Sequence, residues 1–315
     1  GSWRYSRSSD SLLIFCVPLI FCFRSRYWSS FNNRVPIQPL KNSRASKYEN
    51  NLIKLNFGRN LMTLLSKNKA KFIKSLHIKK YRKLERLFLV EGTKSVLELL
   101  NANWQVIMLC GTEKFHADHA HLIIKSNIPE IYEVSAEQLS TISTFIQNQD
   151  ALAVVSIPDT PNKIPAKSEW WLALENIQDP GNLGTILRVA DWYGITNIVA
   201  STDTAELYNP KVIQASMGSF LRVHLQYDDL NLVFDKTGSD LPIYGAMLQG
   251  ENIHRYKFDP EKGGIVVIGN EANGISEELA EKIDIKISIP RFGRAESLNA
   301  GIATGVILDN LRRKY

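Results

Sequence analysis

The chain has 315 residues, 44% of them hydrophobic and 22% charged, an ordinary globular balance that excludes a fibrous or wholly disordered protein and leaves room for about two domains of roughly 150 residues. Its net charge of +6 is unevenly placed: residues 1–60 carry ten Lys or Arg against two Asp or Glu, residues 61–86 nine against one, and residues 87–315 nineteen against twenty-nine. Three cysteines (Cys16, Cys22, Cys110), with no CxxC spacing and no Cys/His cluster, exclude a disulfide framework and a zinc site, provide no metal ligand set, and fit a reducing, cytoplasmic setting.

Gly1-Ser2 reads as a cloning remnant. Leu12–Phe23 is apolar, but its twelve residues are interrupted by Pro18 and fall short of the roughly 20 that a membrane helix needs. No small-residue cleavage site follows it, so neither a membrane span nor secretion is expected. Residues 24–60 lack periodicity, and residues 1–61 as a whole read as a disordered leader or cloning extension, with Met62 as the expected start. Between Leu64 and Arg86 the charge is nearly all of one sign, and Lys79, Lys80, Arg82 and Lys83 interleave with Ile78 and Tyr81. One-signed density with apolar anchors favours a phosphate-facing surface over a solvated helix.

A strand over Leu87–Val90, a helix over Thr93–Leu100 and strands over Gln105–Leu109, Ile131–Val134 and Leu152–Ile157 describe a small α/β unit. Gly92-Thr93-Lys94-Ser95 lacks the upstream glycine of a P-loop, which excludes that reading. The three prolines of Ser156–Ser168 make residues 158–168 a linker between domains at 62–157 and 169–315. Beyond it come strands Trp170–Leu174, Asn197–Ala200, Arg222–Leu225, Ile243–Met247, Ile265–Ile268 and Ile285–Ile289. They alternate with helices over 182–193, 210–219, 229–235, 276–283 and from Glu296 to Arg313. Such alternation predicts an α/β fold with a mostly parallel sheet covered by helices.

Three polar or glycine-rich segments fall at predicted strand ends, where open α/β sheets bind ligands. The first is Asn176–Arg188, with Arg188 about 1.7 helical turns after Asn182; an arginine turned inward there is costly unless an anion waits for it. The second is Ile268–Ser276, where glycines allow positive φ and close approach and Ser276 suits an N-cap. The third is Ile289–Gly301, whose Ser297 and Asn299 at the expected helix start are not explained by tight packing.

NIQDPGNLGTILR, IGNEANGIS and IPRFGRAESLNAGIATGVIL, in that order over residues 170–315, resemble the three motifs of the SpoU (TrmH-type) family of RNA ribose 2'-O-methyltransferases in the SPOUT class. Leu87–Ile157 is similar to the small RNA substrate-binding domain that many members carry in front. The resemblance implies a C-terminal trefoil knot, a homodimer, no metal, and S-adenosylmethionine bound by backbone around Gly269, Ile289 and Leu298 with Asn270, Glu271 and Gly274 shaping the rim. It implies catalytic roles for Arg188, Asn182, Glu271, Ser297 and Asn299, with Arg188 at the ribose 2'-hydroxyl; because arginine stays protonated, phosphate anchoring or proton relay suits it better than general base. Ribosomal RNA is the expected substrate, with transfer RNA and a non-catalytic RNA-binding role as alternatives. The missing GxGxxG after the first strand of this domain independently disfavours a dinucleotide.

Overall fold

The computed structural model describes residues 63–102, 104–145, 150–238 and 241–313. The expected leader, Met62, Cys16 and Cys22 lie outside the described residues.

The amino-terminal lobe runs β1 (Thr63–Leu64), α1 (Lys67–Ser75), α2 (Lys79–Glu85), β2 (Leu87–Glu91), α3 (Thr93–Asn101), β3 (Val106–Gly111), α4 (Glu113–Asp118), α5 (Ala120–Lys125), β4 (Glu130–Glu133), α6 (Ala136–Ile142) and β5 (Ala151–Ser156). Its five-stranded sheet has the order β1-β4-β3-β5-β2, with β5 antiparallel to both neighbours. The basic segment forms two short helices, broken at 76–78, that bury Ile73 and Leu76. Helices α4 to α6 were not anticipated. Each is too short to show periodicity, but Thr112 caps α4 and a reciprocal Ser135/Gln138 box starts α6. Burial pushes the Cys110 thiol up to about 12, so it stays protonated and unreactive.

The carboxyl-terminal lobe contains β6 (Trp170–Leu174), α7 (Pro180–Trp192), β7 (Asn197–Ala200), α8 (Pro210–Ser216), β8 (His224–Tyr227), α9 (Leu230–Thr237), β9 (Ile243–Asn252), β10 (Gly264–Ile268), α10 (Glu277–Ala280), β11 (Ile285–Ser288) and α11 (Ala300–Arg312). Its six strands are parallel throughout, in the order β11-β9-β10-β6-β7-β8. Every residue of β6 and β10 is buried, as expected of central strands covered on both faces.

Helix α10 ends at Ala280, three residues earlier than expected, and β8 lies two residues later than expected; three further boundaries depart for visible reasons. Helix α8 stops at Ser216 because Met217 and Gly218 both take positive φ, which an α-helix cannot continue. Strand β9 reaches Asn252 because its pairing with β11 jumps from Gly245 to Glu251, expelling residues 246–250 as an excursion. Helix α11 begins at Ala300, four residues after Glu296, because the Asn299 side chain accepts from Gly301 N (3.0 Å) and Ile302 N (3.3 Å) and so defines the N-cap.

Helices α7 and α8 cross so closely that a Cβ on Gly184 would lie 2.4 Å from Ala215 Cβ and 2.8 Å from the Val212 carbonyl. Gly184→Ala is therefore expected to cost about 1–3 kcal/mol by overpacking, read as a lower urea midpoint; an unchanged midpoint would mean that the two helices separate at no cost.

The two lobes share one hydrophobic core. Phe88 of β2 packs against Tyr208 (centroids 4.5 Å) and Phe220 (6.0 Å), and Trp104 meets Phe220 at 5.8 Å. Around this cluster Arg222 joins Asp191 (2.9 Å) to Glu98 of α3 (3.2 Å). The segment between β5 and β6 is also pinned, through Lys163 N to Gln226 Oε1 (2.7 Å) and Arg86 to Asp159 (2.5 Å).

Candidate active site

The loop after β6 is shaped by its main chain. Asn176 takes a left-handed φ of 53°, which asparagine tolerates, and its N–H donates to Ser201 Oγ at 2.8 Å. Ile177 N donates to Thr204 Oγ1 (3.2 Å), and Ala205 N donates back to the Ile177 carbonyl (2.8 Å). The chain then enters α7 with Asp179 as N-cap, accepting from Asn182 N at 2.8 Å, and Pro180 supplying a pre-set φ. These constraints place Asn182 in the first turn of α7, at the carboxyl end of the sheet.

The loop after β10 closes on itself through reciprocal 2.9 Å bonds between Asn270 and Gly274. A Cβ on Gly269 would fall 2.3 Å from the Gly274 carbonyl carbon, so only glycine permits this closure. The Asn270 side chain accepts from Ala272 N (2.9 Å) and Asn273 N (3.1 Å) and donates to the Asn176 carbonyl (2.8 Å), tying this loop to the first. Glu175 completes the join by accepting from Ser276 N at 2.9 Å.

A side-chain relay unites all three segments. Asn299 Nδ2 donates to Asn182 Oδ1 at 2.6 Å, and Asn182 Nδ2 donates to Glu271 Oε1 at 2.5 Å. Its direction is forced: Asn299 Oδ1 already faces helix N–H groups, so its amide nitrogen must point to Asn182, and the far end is a carboxylate that accepts. Asn182, Glu271 and Asn299, taken from three separate stretches of sequence, thus meet at one place.

The other expected residues are placed differently. Arg188 is exposed and makes no ion pair or hydrogen bond among the described residues, so the expectation of an inward-turned arginine is not met: in the free protein it stays hydrated. It lies one turn beyond Thr185, whose methyl group abuts Gly301 at the start of α11. Ser297 is exposed and bonded to nothing among the described residues. Gly269, Asn270 and Gly274 build the closed loop, Ile289 is half-buried against the core, and Leu298 is exposed.

Lys79, Lys80 and Lys83 are exposed on α2, but Arg82 is not. Its side chain is 2% exposed and pairs with Glu206 through two bonds of 3.2 and 2.6 Å, while Nη1 donates to the carbonyls of Leu76 (2.9 Å) and His77 (2.8 Å). With these donors committed inside the protein, Arg82 is a structural cation and not a phosphate ligand. Sequence reasoning missed its partner Glu206 and the Ser201/Thr204 hydroxyls, although two hydroxyl residues just beyond a buried strand are a usable sign of loop bracing.

The donor set suits an organic ligand. Asn176 Oδ1 is buried without a partner among the described residues, an acceptor open to a ligand N–H. Ile289 and Leu298 offer apolar surface, and exposed Leu248 is tied to the residue before Ile289 by the bond from Ser288 Oγ to its carbonyl (3.1 Å). A few polar groups among apolar ones is the usual make-up of a cofactor site. Among the described residues no group of three His, Cys, Asp or Glu side chains is placed to hold a metal, and no helix is long and apolar enough to cross a membrane.

Comparison with known proteins adds an independent line. Residues 169–309 match the model of the SpoU rRNA Methylase family, and residues 67–153 match that of the MRM3-like substrate binding domain. The 23S rRNA (guanosine(2553)-2'-O)-methyltransferase RlmP of Bacillus subtilis is 29% identical over 258 residues, covering 78% of this chain and 96% of its own. A solved structure assigned to the TrmH family of RNA methyltransferases, from Porphyromonas gingivalis, is 34% identical with a TM-score of 0.68, over 79% of this chain and 99% of its own. An AdoMet-bound rRNA methyltransferase from Sinorhizobium meliloti superposes with a TM-score of 0.71 at 27% identity, over 81% of this chain and 97% of its own.

Proposed function

Because the chain belongs to the SpoU rRNA methylase family, whose members are S-adenosylmethionine-dependent RNA 2'-O-methyltransferases, we propose that it methylates a ribose 2'-hydroxyl of ribosomal RNA, as a cytoplasmic homodimer. The observation that carries this reading is the Asn299–Asn182–Glu271 relay, which joins the three segments at one place. S-adenosylmethionine supplies an electrophilic methyl group on a sulfonium. The protein must align the hydroxyl oxygen with it and remove a proton from a weak acid.

Main chain around Gly269, Ile289 and Leu298 holds the cofactor in this reading, and Asn270, Glu271 and Gly274 shape its rim. Arg188 anchors the phosphate next to the reacting ribose, because a permanently charged planar fork suits an RNA phosphate. Asn182 and Asn299 fix the loops, and Ser297 contacts substrate from the exposed approach to α11. The chain returns from edge strand β11 to α7, and this return is the segment we assign to the family's trefoil knot. Trp192, 83% exposed on α7, and exposed Ile302 on α11 give the apolar surface for a second copy.

The lobe at 62–157 serves as the RNA substrate-binding domain, with 158–168 as linker and 169–315 as methyltransferase domain. Replacing Lys79, Lys80 and Lys83 together with alanine is expected to weaken RNA binding and flatten its salt dependence by about 0.7 to 0.9 in log–log slope per lost phosphate contact, with S-adenosylmethionine affinity unchanged. Unaltered RNA affinity across a salt titration would leave α2 as a solvated helix. Mass-spectrometric mapping of ribose methylation in ribosomal and transfer RNA from cells with and without the protein tests the whole reading. Loss of one ribosomal methyl group is expected; loss confined to transfer RNA overturns the substrate, and no loss in either overturns catalysis.

A further inference from the structure

The stretch that enters the relay carries chemistry the relay does not use. Every residue from Arg291 to Asn299 is exposed, and Phe292 is 94% exposed, the most open large apolar side chain among the described residues. The stretch is fixed at both ends: Ser288 bonds to the excursion of β9 and accepts from Ile253 N (2.9 Å), and Asn299 is held by Asn182 and by its own helix cap. Arg291 is braced within the stretch by a 3.4 Å bond to the Ala295 carbonyl, and Arg294 has no partner among the described residues. An aromatic face is thereby offered to solvent between two arginines, within seven residues of the site.

Resting on the methyltransferase reading, we propose that Phe292, flanked by Arg291 and Arg294, is a stacking platform for an unpaired nucleobase of the RNA, next to the ribose that reacts. Three features select this occupant. Among the described residues nothing covers the ring, which is 94% exposed. The flanking cations Arg291 and Arg294 complement phosphates. A base in single-stranded RNA presents a π-face that an aromatic ring accepts whatever the base, whereas a paired base keeps its faces inside the helix. The platform therefore selects unpaired RNA without reading its sequence.

The test uses the full chain and two fluorescein-labelled RNAs of equal length, a mixed-sequence single strand and a hairpin duplex. Phe292→Ala is expected to weaken single-strand binding by roughly tenfold, the loss of one stacked base, and to leave duplex binding as it is. Phe292→Trp should restore affinity and Phe292→Leu should not, because stacking needs a ring and not just apolar bulk. Calorimetry of S-adenosylmethionine and sedimentation equilibrium should match the parent protein. The proposal is overturned by unchanged single-strand affinity in the alanine variant, by rescue with leucine, by an equal loss on duplex, or by an effect confined to cofactor affinity or to dimerisation. Failure of the methyltransferase reading is a separate result: no methyl transfer to any RNA while the ring-dependent binding persists.

Discussion

Arg188→Ala is expected to reduce single-turnover methylation by two or more orders of magnitude at saturating RNA while leaving the fold and S-adenosylmethionine binding nearly intact. The fold is spared because Arg188 is exposed and bonded to nothing among the described residues, and surface substitutions of that kind usually shift stability by no more than about 0.5 kcal/mol. Turnover suffers because a misplaced ribose forfeits the alignment that makes the displacement effectively intramolecular. Arg188→Lys should fail almost as badly, since a point charge does not reproduce a bidentate fork on phosphate. Asn182→Ala should be milder in chemistry but should loosen the meeting of the three loops. Single-turnover assays paired with calorimetry separate these outcomes. Parental turnover in Arg188→Ala would remove this residue from the mechanism, and lost cofactor binding would recast it as structural.

The other large effect is expected at Arg82, far from any reacting atom. Arg82→Ala should destabilise the protein by about 3–5 kcal/mol, because it strands the Glu206 carboxylate, itself only 14% exposed, without its counter-charge. It also leaves the Leu76 and His77 carbonyls without their donor. Adding Glu206→Leu should recover the part due to the stranded charge but not the part due to the carbonyls. Urea unfolding of the single and double variants measures this, and a single variant with the parental midpoint would show that the buried pair contributes no stability. RNA binding should follow the folded fraction in Arg82→Ala with its salt slope preserved, unlike the lysine variants of α2.

Legibility in the sequence followed how local the deciding physics is. Strands β6 and β7 fall where the apolar runs Trp170–Leu174 and Asn197–Ala200 place them, because burial on both faces leaves a continuous signal. Asn182, Glu271 and Asn299 stood out as polar residues at strand ends, yet their hydrogen-bonded relay joins positions 89 and 117 residues apart, and no periodicity encodes such a contact. Arg82 was misread for the same reason. In sequence it is one more cation in a basic run, and only its partner 124 residues away reverses its role. The start of α11 was misplaced because nothing in the composition of residues 296–299 forbids a helix, and the start is fixed by the Asn299 side chain accepting from Gly301 N and Ile302 N. The excursion from β9 was invisible because Ala246–Gly250 continues the strand's composition and only the pairing with β11 expels it.

The ring cluster of Phe88, Trp104, Tyr208 and Phe220 draws on both lobes, which limits how a lineage with this architecture acquires new RNA targets. Exchanging the front lobe by recombination would leave Phe220 and Tyr208 facing a mismatched surface, and Glu206 without its guanidinium. Inheritance therefore favours keeping the joint and diversifying what it carries: the lysines of α2, the tip of the approach to α11, and the exposed residues 248–250 of the excursion from β9, none of which reaches the shared interior.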